Sequence, residues 1–317
     1  MKHIYYLGIA AALLFSGCSE DEVAPTLSVD KTSINVALPT MAADSIVVTS
    51  NSTWTARLEN LTDTTWCLVS PSGTGNGVVY VDVLSNRTDD ERSAKIILTS
   101  GALSKEVNVT QTSVTTAPPE NSATINIEMV YVEGNGTIWS FKIGKYEVTE
   151  GQWEAVMGSD PSKNKKGANY PVVGVSWYDA IGFISELYKK TGKCYDLPTA
   201  EQWVYASKGG KNTHNYIYSG SNTIDQVAWY ADNSAVNNLQ QRHEVGTKGG
   251  NELGIYDMSG NLWEWTHTVW GPGDYYRRRF GGSFCMDARY CEAAFYSSDR
   301  PTLQLEDLGF RLIENPM

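Results

Sequence analysis

The chain is poor in the residues that mark redox and metal chemistry. Its 317 residues include 5 cysteines and 4 histidines. No two cysteines form a Cys-x-x-Cys pair, which excludes a zinc ribbon and a thioredoxin-like dithiol. No His-Glu-x-x-His segment is present, so the common zinc-protease arrangement is absent. His214, His243 and His267 are scattered, and the expectation for each is a surface or loop position. A phosphate loop is missing too. Gly73-x-Gly75-x-Gly77 precedes a strand-like run, whereas a nucleotide loop must open a helix. Positive charge is scarce, with 25 Lys and Arg against 36 Asp and Glu, a net −11. Nucleic acid is thereby excluded as a partner, because its binding depends on basic groups neutralising phosphates. Long hydrophobic runs are confined to residues 4–15, shorter than the ~20 residues needed to span a bilayer.

That short run is a processing signal. Lys2 and His3 give a basic start, and the run ends in Phe15-Ser16-Gly17-Cys18. Small residues before a cysteine resemble a bacterial lipobox, which implies cleavage after residue 17 and lipid on Cys18. The acidic Ser19-Glu20-Asp21-Glu22 is similar to the export tag of Bacteroidetes surface lipoproteins. The expectation is an outer-membrane lipoprotein, exposed on the cell surface and joined to the membrane through Cys18. Four thiols would then remain, Cys67, Cys194, Cys285 and Cys291. A Cys285–Cys291 disulfide is left open, since spacing alone does not fix geometry.

The composition, 41% hydrophobic and 19% charged, supports globular cores. Residues 18–26 read as a tether. Residues 27–113 are all-β in texture, with Ser33-Ile34-Asn35-Val36, Ser45-Ile46-Val47-Val48, Val78 to Val83, Ala94 to Leu98 and Val107-Asn108-Val109 as short strands. Residues 72–77 and 86–90 read as turns. Ser52-Thr53-Trp54 is placed for a buried strand tryptophan, and Val109-Thr110-Gln111 for a last strand. This block resembles a BACON domain, which implies an immunoglobulin-like sandwich, either a spacer or a carbohydrate-associated module. Residues 114–124, with Pro118-Pro119, read as a stiff linker that holds two domains apart.

From 125 onward short strands mix with helices that carry start signals. Thr149-x-x-Gln152, Ser176-x-x-Asp179 and Thr199-x-x-Gln202 each have the capping-box form or a close variant. Ile181, Ile184, Leu187 and Tyr188 share one helix face, and Gly192 ends that helix.

Several ordered motifs follow. They are Met129-Val130-Tyr131-Val132, Lys145-Tyr146-Glu147-Val148-Thr149, Tyr170-Pro171-Val172, Leu197-Pro198-Thr199, the 256–265 block, Gly281-Gly282-Ser283 and Gly309-Phe310-Arg311. Together they resemble the formylglycine-generating (sulfatase-modifying factor) family over residues 125–317. The resemblance implies an α+β, C-type-lectin-like fold. It implies a calcium ion held by Asp257, the carbonyls of Gly260 and Leu262, and Glu264, hard oxygen donors that suit that cation. It also implies an oxidase in which copper between two thiolates uses oxygen to convert a substrate cysteine to formylglycine.

The cysteines depart from that pattern. Ser283, Tyr290 and Cys291 match family positions, but Met286 stands at the first thiolate position. Cys285 lies one residue earlier. In a strand-like segment that shift turns the side chain to the opposite face. A bulge at Cys285 or a thioether ligand at Met286 are the two ways to recover a site. Charged positions differ as well: Asp196 stands where arginine is usual, Phe280 replaces arginine before Gly-Gly-Ser, and Glu292 follows Cys291. The expectation is a non-catalytic binding or structural module facing a glycan or protein ligand. The alternatives are a copper oxidase acting on sulfatase cysteines and a carbohydrate-binding accessory lipoprotein.

Overall fold

The computed structural model describes residues 23–59, 66–113, 125–270 and 276–314. Cys18, the signal segment, most of the tether and the 114–124 linker lie outside them.

The N-terminal region is built from β1 (Leu27–Val29), β2 (Ser33–Val36), β3 (Ala42–Ser50), β4 (Thr53–Leu58), β5 (Cys67–Val69), β6 (Ser72–Thr74), β7 (Gly77–Val83), β8 (Arg92–Ser100) and β9 (Leu103–Gln111). They form two sheets, in the orders β1-β3-β7-β5 and β2-β9-β8-β4-β6. One core joins them. Ile46, Val48, Val79 and Val81 from the first sheet meet Trp54, Ile96, Leu98, Val107 and Val109 from the second. In β3, β4 and β9 these residues alternate with exposed ones, the period-2 pattern of a sheet with one wet face. The second sheet is antiparallel except at β2–β9, which run parallel.

Residues 72–77 are partly strand, a correction to their reading as a turn. β6 pairs with β4, with Trp54 opposite Gly73. The glycines are there for the indole. A Cβ on Gly73 would lie 2.2 Å from the Trp54 ring and one on Gly77 2.9 Å. Trp54 Nε1 donates to the Gly75 carbonyl at 2.9 Å.

The C-terminal region adds β10 (Met129–Val132), β11 (Phe141–Gly144), α1 (Glu150–Met157), α2 (Trp177–Thr191), α3 (Ala200–Ser207), β12 (Ala235–Val236), β13 (Leu239–Gln240), β14 (Trp263–Trp270), β15 (Tyr276–Phe280), β16 (Tyr296–Asp299), β17 (Leu308–Phe310) and β18 (Ile313–Glu314). The helices start where the capping boxes place them, at Thr149, Ser176 and Thr199, each box closed in both directions. Helix α2 stops at Gly192 in the left-handed conformation. Its apolar face includes Ile181, Ile184, Leu187 and Tyr188, all buried. Three sheets complete the region, β10-β11-β18, the two-stranded β12-β13, and β16-β15-β14-β17, with β14 and β17 parallel.

The two regions are packed together, which corrects the expectation of domains held apart. Met41, preceding β3, is 1% exposed within the C-terminal core beside Trp153 and Phe183. Asp82 of β7 forms a fully buried ion pair with Arg277 of β15. Arg277 also donates to the His267 carbonyl at 2.8 Å and lies 3.9 Å over the Trp177 ring. Arg87 pairs with Asp196 at 2.8 Å, and the Ser85 hydroxyl donates to the same carboxylate. Asp196, read from sequence as a drifted family position, is thus a contact to the N-terminal sandwich. Burial of His267 in this seam corrects its reading as a surface or loop histidine.

Candidate functional site

The glycine-rich turn before β14 delivers alternating tryptophans and a carboxylate into the interior. Gly260 has φ +76°, and a Cβ there would meet the Trp229 carbonyl oxygen at 2.2 Å. No other residue type fits that approach. Along β14, Trp265 donates its indole N–H to the Val175 carbonyl at 3.2 Å. Glu264, 0% exposed, accepts from Trp203 Nε1 at 2.7 Å.

Glu264 has a partner, and it is Arg311. Nε of Arg311 donates to one carboxylate oxygen and Nη2 to the other, each at 2.6 Å. The same guanidinium donates to the Gly144 carbonyl at 3.0 Å and the Tyr256 carbonyl at 2.9 Å. Two further buried carboxylates sit in this field. Glu147 accepts from Asn261 Nδ2 at 2.9 Å and from the Leu262 N–H at 3.2 Å. Asp257 accepts from the Gly246 N–H at 2.6 Å. Burial pushes Glu147 well above the usual carboxylate range, with the charges of Asp257 and Glu264 adding to it. Burial also raises Asp257, to about 6.

This geometry does not fit the expected calcium cage of Asp257, Gly260, Leu262 and Glu264. Both oxygens of Glu264 are taken by Arg311 and Trp203, and a second cation there would face a buried guanidinium. Glu147 and Arg311 both lie in motifs singled out in the sequence, but their roles were missed. The signal was the need of a buried Glu264 for a counter-charge.

The cysteine segment is a turn rather than a strand, so the face-alternation argument does not apply to it. The turn places both thiols around Ser283. Cys285 is half-buried, and its Sγ lies 3.4 Å from both the Ser283 hydroxyl and Asp307. The Ser283 hydroxyl donates to the same Asp307 carboxylate oxygen at 2.8 Å. Cys291 ends the short helical turn Ala288–Cys291 and is fully buried against Ala228 and Tyr230. Gly282 makes room for it, since a Cβ there would lie 2.7 Å from the Cys291 sulfur. No disulfide joins them, and all four described cysteines are free.

Neither thiol is prepared as a thiolate. Burial pushes Cys291 up to about 12, and burial likewise raises Cys285, with Asp307 adding to it. Met286 packs against the hydrophobic core. Tyr290 stacks edge-on against Phe295, ring centres 5.1 Å apart, and its hydroxyl accepts from Arg289. Copper needs soft sulfur donors brought together, and binding it here would have to displace both thiol protons. Ser283, Cys285, Tyr290 and Cys291 thus share one loop.

Comparison with known proteins places this geometry. The sulfatase-modifying factor enzyme 1-like domain family matches residues 94–316, and the BACON family matches residues 54–112. The two overlap over β8 and β9, which belong to the N-terminal sheets. A chaperone protein LppX from Paenibacillus barcinonensis is 33% identical over 235 residues, 58% of this chain and 84% of the relative. The formylglycine-generating enzyme of Mus musculus is 27% identical over 186 residues, and the match spans 48% of that enzyme. Among solved structures, CarF superposes with a TM-score of 0.51 at 23% identity, covering 61% of this chain and 100% of CarF, a likeness of fold.

Proposed function

The chain belongs to the sulfatase-modifying factor enzyme 1-like family, and on that premise we propose that this member is a cell-envelope lipoprotein whose C-terminal domain acts by contact rather than by oxidising cysteine. The observation that carries the reading is the burial of Cys291, which is 0% exposed. Cys285 turns to Ser283 and Asp307, while Cys291 is sealed among Ala228 and Tyr230. A thiol pushed up to about 12 is almost wholly protonated at neutral pH, and a protonated thiol is a poor nucleophile. The relative named as a chaperone, matched over most of its length, supports a role in holding a partner.

In this reading lipid on Cys18 anchors the protein to the outer membrane, facing the cell surface. An immunoglobulin-like sandwich and a lectin-like domain then stand as one packed unit above it, presenting loops to a glycan or protein. The competing reading is a copper oxidase acting on sulfatase cysteines. Titrating the purified protein with Cu(I) and incubating it with a sulfatase-motif peptide and oxygen separates the two. Weak copper binding and an unchanged peptide are expected. Tight copper binding with conversion of the peptide cysteine to the aldehyde would overturn the proposal. Incorporation of labelled palmitate, lost in Cys18→Ser, checks the anchor.

A further inference from the structure

The hairpin β10–β11 carries an aromatic pair that its own fold does not use. Trp139 is 88% exposed and Tyr131 60% exposed. Both line one open groove of about 350 Å3, together with Glu133, Gly134 and Ser140. A tryptophan so exposed adds almost nothing to folding.

The loop that presents Trp139 is tightly built. The Asn135 side chain accepts from the N–H groups of Thr137 and Ile138, at 3.0 and 2.9 Å. The Gly134 N–H donates to the Ser140 hydroxyl at 3.0 Å. A Cβ at Gly134 would lie 2.3 Å from the Ile138 carbonyl oxygen, so only glycine lets the loop close. Ile138 plugs into the core beneath, and the next residue is therefore turned outward. The floor is fixed as well. Tyr205 donates its hydroxyl to the Glu133 carbonyl at 2.9 Å, and Lys211 holds the Glu133 carboxylate at 2.5 Å.

We propose that this groove binds a neutral glycan, with Trp139 and Tyr131 as the stacking surfaces and the Glu133 carboxylate as a hydroxyl acceptor. The charges around the rings cancel locally. Lys211 neutralises Glu133, and Lys142, paired in register with Tyr131, is neutralised by Glu314 at 3.0 Å. A charged ligand finds no complementary surplus there, and the net charge of −11 further opposes an anion. A ring presented on a preorganised loop spares the ordering cost that weakens flexible sites. The volume lies in the range of small-ligand sites, about 300–1,000 Å3. This inference deepens the glycan-facing reading above and rests on it, but not on the cysteines, since an active oxidase could carry the same groove.

Calorimetric titration of the full chain in detergent tests it, with cellohexaose, xylohexaose and mannohexaose as neutral probes. Hexagalacturonate and phosphatidylglycerol vesicles are the charged probes. At least one neutral hexasaccharide is expected to bind. Trp139→Ala is expected to weaken it at least tenfold and Tyr131→Ala by a smaller factor, with both thermal midpoints unmoved. Failure of every neutral hexasaccharide would overturn the proposal. So would binding indifferent to Trp139→Ala, or Trp139-dependent binding of the charged probes alone. Copper and peptide assays read the other proposal separately, so either can fail without the other.

Discussion

Arg311 and Arg277 are both completely buried, and each meets a buried carboxylate, yet they hold different things together. Arg311 is an internal counter-charge. It takes both oxygens of Glu264, caps two carbonyls, and its charge also opposes the upward shifts of Glu147 and Asp257. Arg277 is a weld. It reaches from β15 to Asp82 in the N-terminal sandwich, 195 residues away in sequence. A domain interior offers its groups no retreat. A seam can open and let water reach a charge that has lost its partner.

Breaking each pair exposes that difference. Arg311→Met leaves three carboxylates in a closed interior. The expected loss of stability is toward the top of the ~3–5 kcal/mol range for a broken buried pair, read from urea unfolding. Arg277→Met is expected to cost less, about 3 kcal/mol, because the seam can part. It should also split the unfolding curve, with the sandwich and the C-terminal domain melting separately. A single transition for Arg277→Met at undiminished cooperativity would contradict the weld. The double variant Asp82→Asn with Arg277→Met should recover part of the loss, since no lone charge then remains buried.

Acid tests the seam by a second route. His267 is buried beside Arg277, and burial first, then the Arg277 charge, lowers its pKa from 6.5 to about 4. The folded value lies below the unfolded one. The contribution of the neutral ring is therefore whole above pH 6.5 and is lost as pH falls toward 4. The loss across that window is about 2–3 kcal/mol. His267→Gln should flatten it, measured as unfolding free energy against pH. The smallest effect is expected from calcium. With Glu264 committed to Arg311, a chelator should leave the thermal midpoint within about 1 °C, whereas a clear drop would restore the proposed cage.

What could be read from the sequence was what is local. The three capping boxes, Gly192 and the apolar face of α2 depend on residues within a turn or two of each other, and each appears in place. Trp54 was legible as a buried strand residue, but the glycines that serve it were read as a turn, because their reason is an indole on another strand. The family motifs placed the C-terminal domain. They did not say that Glu264 would choose a guanidinium over a metal ion, since Arg311 is distant along the chain. Asp196 misled most. It departs from the family pattern, and its partners Arg87 and Ser85 belong to a different domain. The one-residue offset at Cys285 was read through a strand that the chain does not form there.

The placement of Arg311 has a consequence for how the protein is made. Glu264 leaves the ribosome 47 residues before its counter-charge. At synthesis rates of roughly 5–20 residues per second, that is a delay of about 2–10 s. During it the tryptophan-rich strand β14 has neither its guanidinium nor its parallel neighbour β17. The growing polypeptide must pass that interval with sticky indoles uncovered, so a holding factor would have the most to offer there.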